Sequence, residues 1–196
     1  MTDGEEHGGS WLVLVVGRPA SGKTTVSRLL ADRLGIPRIA KDDLKEILFD
    51  ELGGGDRDWS VRLGRASFAL LGYALERQLT AGGAVVVDAN YDPRVEDAVL
   101  RSWQRRYGFR ALQLHCRAGD DELVRRFAAR AGDGSRHAGH GDAAQVDAFR
   151  AVLGDGRPEV LDLDGVVLEV DTERPGAVDA ALAEADALLT ARSAGR

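Results

Sequence analysis

Five short apolar runs punctuate the chain, and most are followed by a segment whose apolar residues recur every three or four positions. Trp11-Leu12-Val13-Leu14-Val15-Val16 has no polar member, the pattern of a strand buried on both faces. Val26, Leu29, Leu30 and Leu34 then predict a helix that Gly35 and Pro37 stop. Residues 38–40 read as a short strand ending in Lys41-Asp42-Asp43, and Leu44, Ile47, Leu48 and Leu52 form one helix face. Gly53-Gly54-Gly55 breaks that helix, and Asp58 is expected to cap a long helix over 59–81. Residues 84–87 read as the third strand, with Asp88-Ala89-Asn90 at its carboxyl end. Pro93 opens a helix that Gly108 ends, residues 111–116 form the fourth strand, and Asp120 is expected to cap the helix of Leu123 and Phe127. A glycine-rich stretch from Gly132 to Gly141, a helix over 143–153, a fifth strand over 166–170 and a last helix over 175–191 complete the pattern.

Strands alternating with helices predict an α/β fold of parallel strands joined by right-handed crossovers, with helices on both faces. A ligand is then expected across the carboxyl ends of the strands. The chain has 196 residues, 44% of them apolar, and no break divides it, so residues 11–192 read as one domain. Residues 1–10 are polar and glycine-rich and read as a flexible tail, without the basic-then-apolar layout of a signal peptide. No apolar run is long enough to span a membrane. With one cysteine, Cys116, these features place the protein in the cytoplasm.

Between the first strand and helix lies Gly17-Arg18-Pro19-Ala20-Ser21-Gly22-Lys23-Thr24, followed by Thr25. The spacing fits G-x-x-x-x-G-K-[ST], a loop whose backbone N–H groups ring a phosphate chain. Lys23 would reach the β- and γ-phosphates and the Thr24 hydroxyl would hold Mg²⁺, at the positive end of the helix that begins there. ATP or GTP with Mg²⁺ is therefore the expected cofactor.

Other candidate residues follow the strand ends. Asp42 is placed to take the proton of an acceptor hydroxyl, while Asp43 reads as the helix N-cap. Lys45 fits either an anionic acceptor or solvent. Asp88 is the expected Mg²⁺-organising carboxylate, and Asn90 reads equally as acceptor-orienting or turn-stabilising. Ala89 stands where motor and transporter ATPases place a water-activating glutamate, and no Asn-Lys-x-Asp guanine signature occurs. Transfer to a hydroxyl is favoured over hydrolysis.

Charge sharpens this picture. Arginines number 23 and lysines three, Lys23, Lys41 and Lys45, all around the loop and the second strand end. Residues 101–136 hold nine arginines against four acids in a chain of net charge −6. Arg126 and Arg130 share a helix face ahead of the glycine-rich stretch, as in a closing lid that brings cations to a transferring phosphoryl group. His115 beside Cys116, taken with His137 and His140, does not make a zinc set, for want of a second cysteine. Arg136, His137 and His140 receive no role.

These motifs together resemble the small P-loop kinases related to polynucleotide 5′-kinase, zeta toxin, gluconate kinase and chloramphenicol phosphotransferase. The resemblance covers about residues 11–191. It implies a three-layer P-loop fold with a five-stranded parallel sheet in the order 2-3-1-4-5 and a helical lid over about 117–157. It also implies that Asp42 is the catalytic base, that Arg126 and Arg130 are lid arginines, and that Thr172 lies near the nucleotide base. Lys41-Asp42-Asp43-Leu44-Lys45 is similar to the Arg-Asp-Asp-x-Arg stretch of the polynucleotide kinases, with lysine at both arginine positions. Losing those bidentate forks disfavours a nucleic-acid acceptor and points to a small molecule: a metabolite, nucleoside or antibiotic. The alternatives are an RNA or polynucleotide 5′-hydroxyl kinase, and a regulator that binds nucleotide without transferring phosphate. Nothing in the sequence sets the oligomeric state.

Overall fold

The computed structural model describes residues 10–132 and 146–191. Its elements run β1 (Trp11–Val16), α1 (Lys23–Leu34), β2 (Arg38–Ala40), α2 (Lys41–Leu52), α3 (Arg57–Thr80) and β3 (Val85–Asp88). They continue through α4 (Pro93–Tyr107), β4 (Arg110–Arg117), α5 (Asp120–Gly132), α6 (Val146–Leu153), β5 (Gly165–Asp171) and α7 (Ala177–Thr190). The five strands pair in parallel in the order β2-β3-β1-β4-β5. This is the P-loop kinase fold, with the strand order that the resemblance implies.

The continuous apolar run of β1 has a simple cause. Every one of its residues is buried, and alternate side chains feed two different cores. Trp11, Val13 and Val15 pack with Val26 and Leu30 of α1 and with Ala181, Leu182 and Ala185 of α7. Leu12, Leu14 and Val16 pack with Leu71, Leu75 and Leu79 of α3 and Leu100 of α4. Helices thus cover both faces of the sheet, and β1 is held from both sides. A third, smaller cluster joins Leu123 and Phe127 of α5 and Phe149 of α6 to Ala20. Phe127 and Phe149 stack with ring centroids 4.4 Å apart, which fixes α5 against α6.

Helix ends refine the sequence reading. Asp56, not Asp58, caps α3: its side chain accepts from the Trp59 N–H, and Asp58 lies inside the first turn. Asp43 is not an N-cap either. Ala40 holds that position for α2 without a side-chain bond, and Asp42 and Asp43 both lie in the first helical turn. Asp120 is the first residue of α5 rather than the residue before it. Gly35 and Gly108 do stop α1 and α4, each in the left-handed conformation that needs no Cβ. The glycine-rich stretch beyond Gly132, with Arg136, His137 and His140, lies outside the described residues, as does most of the amino-terminal tail. Among the described residues no helix is long and apolar enough to cross a membrane.

Candidate active site

The glycine loop runs from the end of β1 into α1 with three residues at positive φ: Gly17 at 133°, Ala20 at 68° and Gly22 at 92°. Gly17 admits no side chain. A Cβ there would stand 2.3 Å from the carbonyl oxygen of Cys116, so the loop can approach β4 only because the atom is missing. Among the described residues Ala20 is the one non-glycine at positive φ, a conformation that costs roughly 1–3 kcal/mol. Its burial against Leu123 and Phe127 helps hold it there.

The chemistry of this loop suits an anion. The N-cap of α1 is Gly22, with no side-chain hydrogen bond and no acidic residue in the first turn. The orphan N–H groups of the helix start are therefore left without the side-chain acceptor that usually satisfies them. The Ser21 hydroxyl beside them is buried and has no partner among the described residues. Lys23 is only 7% exposed and its Nζ donates to the carbonyl oxygens of Gly17 at 2.9 Å and Arg18 at 2.8 Å. Burial pulls its pKa below the usual lysine value, against the opposing fields of Asp88 and Asp42, and the Arg130 charge pulls the same way. A phosphate chain would stabilise the charged ammonium in place of the water that burial removes.

A cavity of about 520 Å³ opens over this loop. Of the residues singled out by sequence, Pro19, Ala20, Gly22, Lys23, Thr24, Thr25, Asp42, Asp88, Asn90, Arg126, Arg130 and Thr172 line it. Gly17, Arg18, Ser21 and Lys45 do not. Arg18 turns away: its Nε donates to Glu159 at 2.6 Å and its Nη1 to Asp155 at 3.1 Å. Lys45 Nζ donates to Ser60 Oγ at 2.9 Å, which ties α2 to α3. Arg125, next to Arg126 in α5, also reaches the lining.

Each wall has its own cause. Parallel pairing sets Asp88 opposite Val15 of β1, and Asp42 follows β2 in the first turn of α2. Asp42 receives Lys41 Nζ at 3.2 Å, and that ammonium lies 5.7 Å over the Phe68 ring. At the other end Arg126 joins α5 to the turn after β5. Its Nη1 donates to Thr172 Oγ1 at 2.8 Å, its Nη2 to the Thr172 carbonyl at 3.3 Å, and its Nε to Glu122 at 2.6 Å. Hydrogen bonds from Arg125 and Arg126 hold the Glu122 carboxyl at about 2. Cys116 is buried at the end of β4, and burial pushes its thiol up to about 12. A neutral thiol of that kind is a packing residue.

Sequence reasoning missed Arg38. It stands in β2 with a side chain 12% exposed and reaches Ser27, Asp43 and Asp88 together. The one local signal was its charge in a three-residue strand, on the same face as Ala40.

Comparison with known proteins gives the family and agrees with the fold. The family profile AAA_33, described as an AAA domain, matches residues 12–155. A shikimate kinase from Paracidovorax citrulli (strain AAC00-1) is 34% identical over 116 residues, 57% of this chain. The match spans only 58% of that relative's length. A candidate kinase from Chloroflexus aurantiacus superposes with a TM-score of 0.80 at 28% identity, over 95% of this chain and 99% of that one. The APS kinase CysC of Mycobacterium tuberculosis, in complex with AMPPNP and APS, shares the fold at 21% identity and a TM-score of 0.57, over 92% of this chain and 98% of that one. With the loop, the sheet order and a profile match over most of its length, the chain belongs to the AAA_33 family of AAA domains.

Proposed function

We propose that the protein is a kinase that moves the γ-phosphate of ATP or GTP to an alcohol group of a small molecule. The observation that carries this reading is one cavity lined by Lys23, Asp42, Asp88 and Arg130 over an anion-receptive helix start. Kinase relatives support the reaction class, and the partial match to shikimate kinase leaves the acceptor to be found.

Four groups divide the work. Backbone N–H groups of the loop and the Lys23 ammonium grip the phosphate chain and orient its last group. Asp42 accepts the proton of the acceptor hydroxyl as the alcohol oxygen bonds to the γ-phosphorus. The bond from that phosphorus to the β,γ-bridging oxygen breaks, and its electron pair leaves with the nucleoside diphosphate. Arg126 and Arg130 bring positive charge to the phosphoryl oxygens, an effect of roughly 10³–10⁵-fold for an arginine finger. Thr24 and Asp88 would hold Mg²⁺, which screens phosphate charge when bound. Ala89 follows Asp88, so the usual carboxylate for activating water is missing and an alcohol is the favoured nucleophile.

The test is transfer of labelled γ-phosphate from ATP and from GTP to sugars, nucleosides, antibiotics and 5′-hydroxyl oligonucleotides. Label on a small alcohol, lost in Asp42→Asn, is the expected result. Release of inorganic phosphate alone, unaffected by every acceptor, would contradict it.

A further inference from the structure

Arg38 joins four elements behind the cavity. Its Nε donates to Ser27 Oγ of α1 at 2.9 Å, its Nη1 to Asp43 Oδ2 of α2 at 2.7 Å, and its Nη2 to Asp88 Oδ2 of β3 at 3.0 Å. The Arg38 and Asp88 side chains are 12% and 9% exposed, so their charges meet where water screens little. Three bonds in three directions use the fixed fork of a guanidinium, which an ammonium cannot reproduce.

The two hydrogen bonds to Asp88 fall on the same oxygen. Ser27 Oγ lies 3.2 Å from Oδ2, the atom that Arg38 also binds. The serine has one proton for two acceptors, Asp88 and the Thr24 carbonyl at 3.1 Å, so the guanidinium is the constant donor. Oδ2 is thereby engaged by both donors, and the same carboxylate residue lines the cavity. The Nη1 arm holds Asp43, next to Asp42, in the first turn of α2. One side chain therefore grips the Asp88 carboxylate and the turn that carries Asp42.

We propose that Arg38 is a positioning residue that aims the Asp88 carboxylate at the Mg²⁺ end of the cavity and sets the Asp42 turn against it. This rests on the kinase reading, because that reading gives Asp88 its metal role. Charge and orientation make opposite forecasts for Arg38→Lys. If positive charge alone mattered, lysine would serve as well as arginine. If the fork matters, lysine fails nearly as badly as Arg38→Gln.

The experiment is calorimetric titration with AMPPNP or GMPPNP, whichever the wild type binds, across a series of Mg²⁺ concentrations and in EDTA. Both variants should raise the Mg²⁺ concentration for half-maximal affinity by about 10–100-fold, the usual effect of removing a group that orients a metal ligand. Their affinity in EDTA should stay within about twofold of wild type, since the glycine loop is untouched. Thermal unfolding of each variant is followed alongside; should Arg38→Gln not fold, Arg38→Lys carries the test. A merely structural role would lower the unfolding midpoint and leave the Mg²⁺ midpoint where it was. An unchanged Mg²⁺ midpoint in Arg38→Lys overturns the proposal while the kinase reading stands. Absence of nucleotide binding by the wild type removes both.

Discussion

Lys23 Nζ donates to the carbonyl oxygen of Gly17, 2.9 Å away, closing the glycine loop on itself from the helix that follows. The same cation that would hold a phosphate chain is stored against the loop's own backbone. Lys23→Ala should lower affinity for Mg·nucleotide by about 10–100-fold, the worth of a charge-assisted hydrogen bond or two, and abolish transfer. Calorimetry checks the first and a labelled-phosphate assay the second. Wild-type affinity in the variant would undo the assignment of the loop.

Asp42 stands in the first turn of α2 with Lys41 at its carboxylate and the cavity before it. Asp42→Asn keeps the shape and removes the base. Turnover should fall by roughly 10²–10⁴ with nucleotide affinity nearly unchanged. A normal rate would make Asp42 a helix-start residue and nothing more.

Arg130 lines the cavity and its charge acts on Lys23, so both cations border the space proposed to hold phosphate. Arg130→Ala should depress kcat more than it raises KM for the acceptor, because the arginine is needed when charge moves. The reverse pattern would make it an acceptor clamp.

His115 gives a pH dependence with a definite sign. Its Nε2 and Nδ1 each lie 3.0 Å from a carboxylate, of Glu159 and Glu169 respectively. Burial lowers the His115 pKa, but the two carboxylates outweigh burial and the net shift is upward. Burial likewise raises Glu159, yet His115 and Arg18 outweigh it and hold the carboxyl at about 2. The histidine's contribution is complete below its unfolded pKa of about 6.5 and is lost as pH rises through the raised folded value. The glutamate's contribution is complete above about 4.3 and is lost as pH falls toward the folded value. His115→Gln should therefore flatten the decline of the thermal midpoint above about pH 6.5. An identical slope in wild type and variant would mean the imidazole is not charged in the fold.

What was legible in the sequence follows from how local each signal is. The β1 run and the glycine loop could be read because burial on both faces and the loop's spacing are properties of neighbouring residues. The strand order followed from the family resemblance, whereas the contact between Arg126 and Thr172 joins residues 46 apart and leaves no local signal. Arg38 could not be read, since its value comes from Asp88, 50 residues on, and from Ser27 behind it. Arg18 sits in the middle of the motif yet pairs with Glu159, 141 residues away. Asp58 is the expected cap of α3, but aspartate two residues earlier is an equally good residue type, and it is Asp56 that takes the Trp59 N–H.

Calorimetric titration of the wild-type protein with AMPPNP and with GMPPNP, in millimolar Mg²⁺, tests the central claim most directly. The account predicts saturable heat with one purine analogue or both, strongly reduced in Lys23→Ala. No heat with either, from protein shown to be folded, would contradict it.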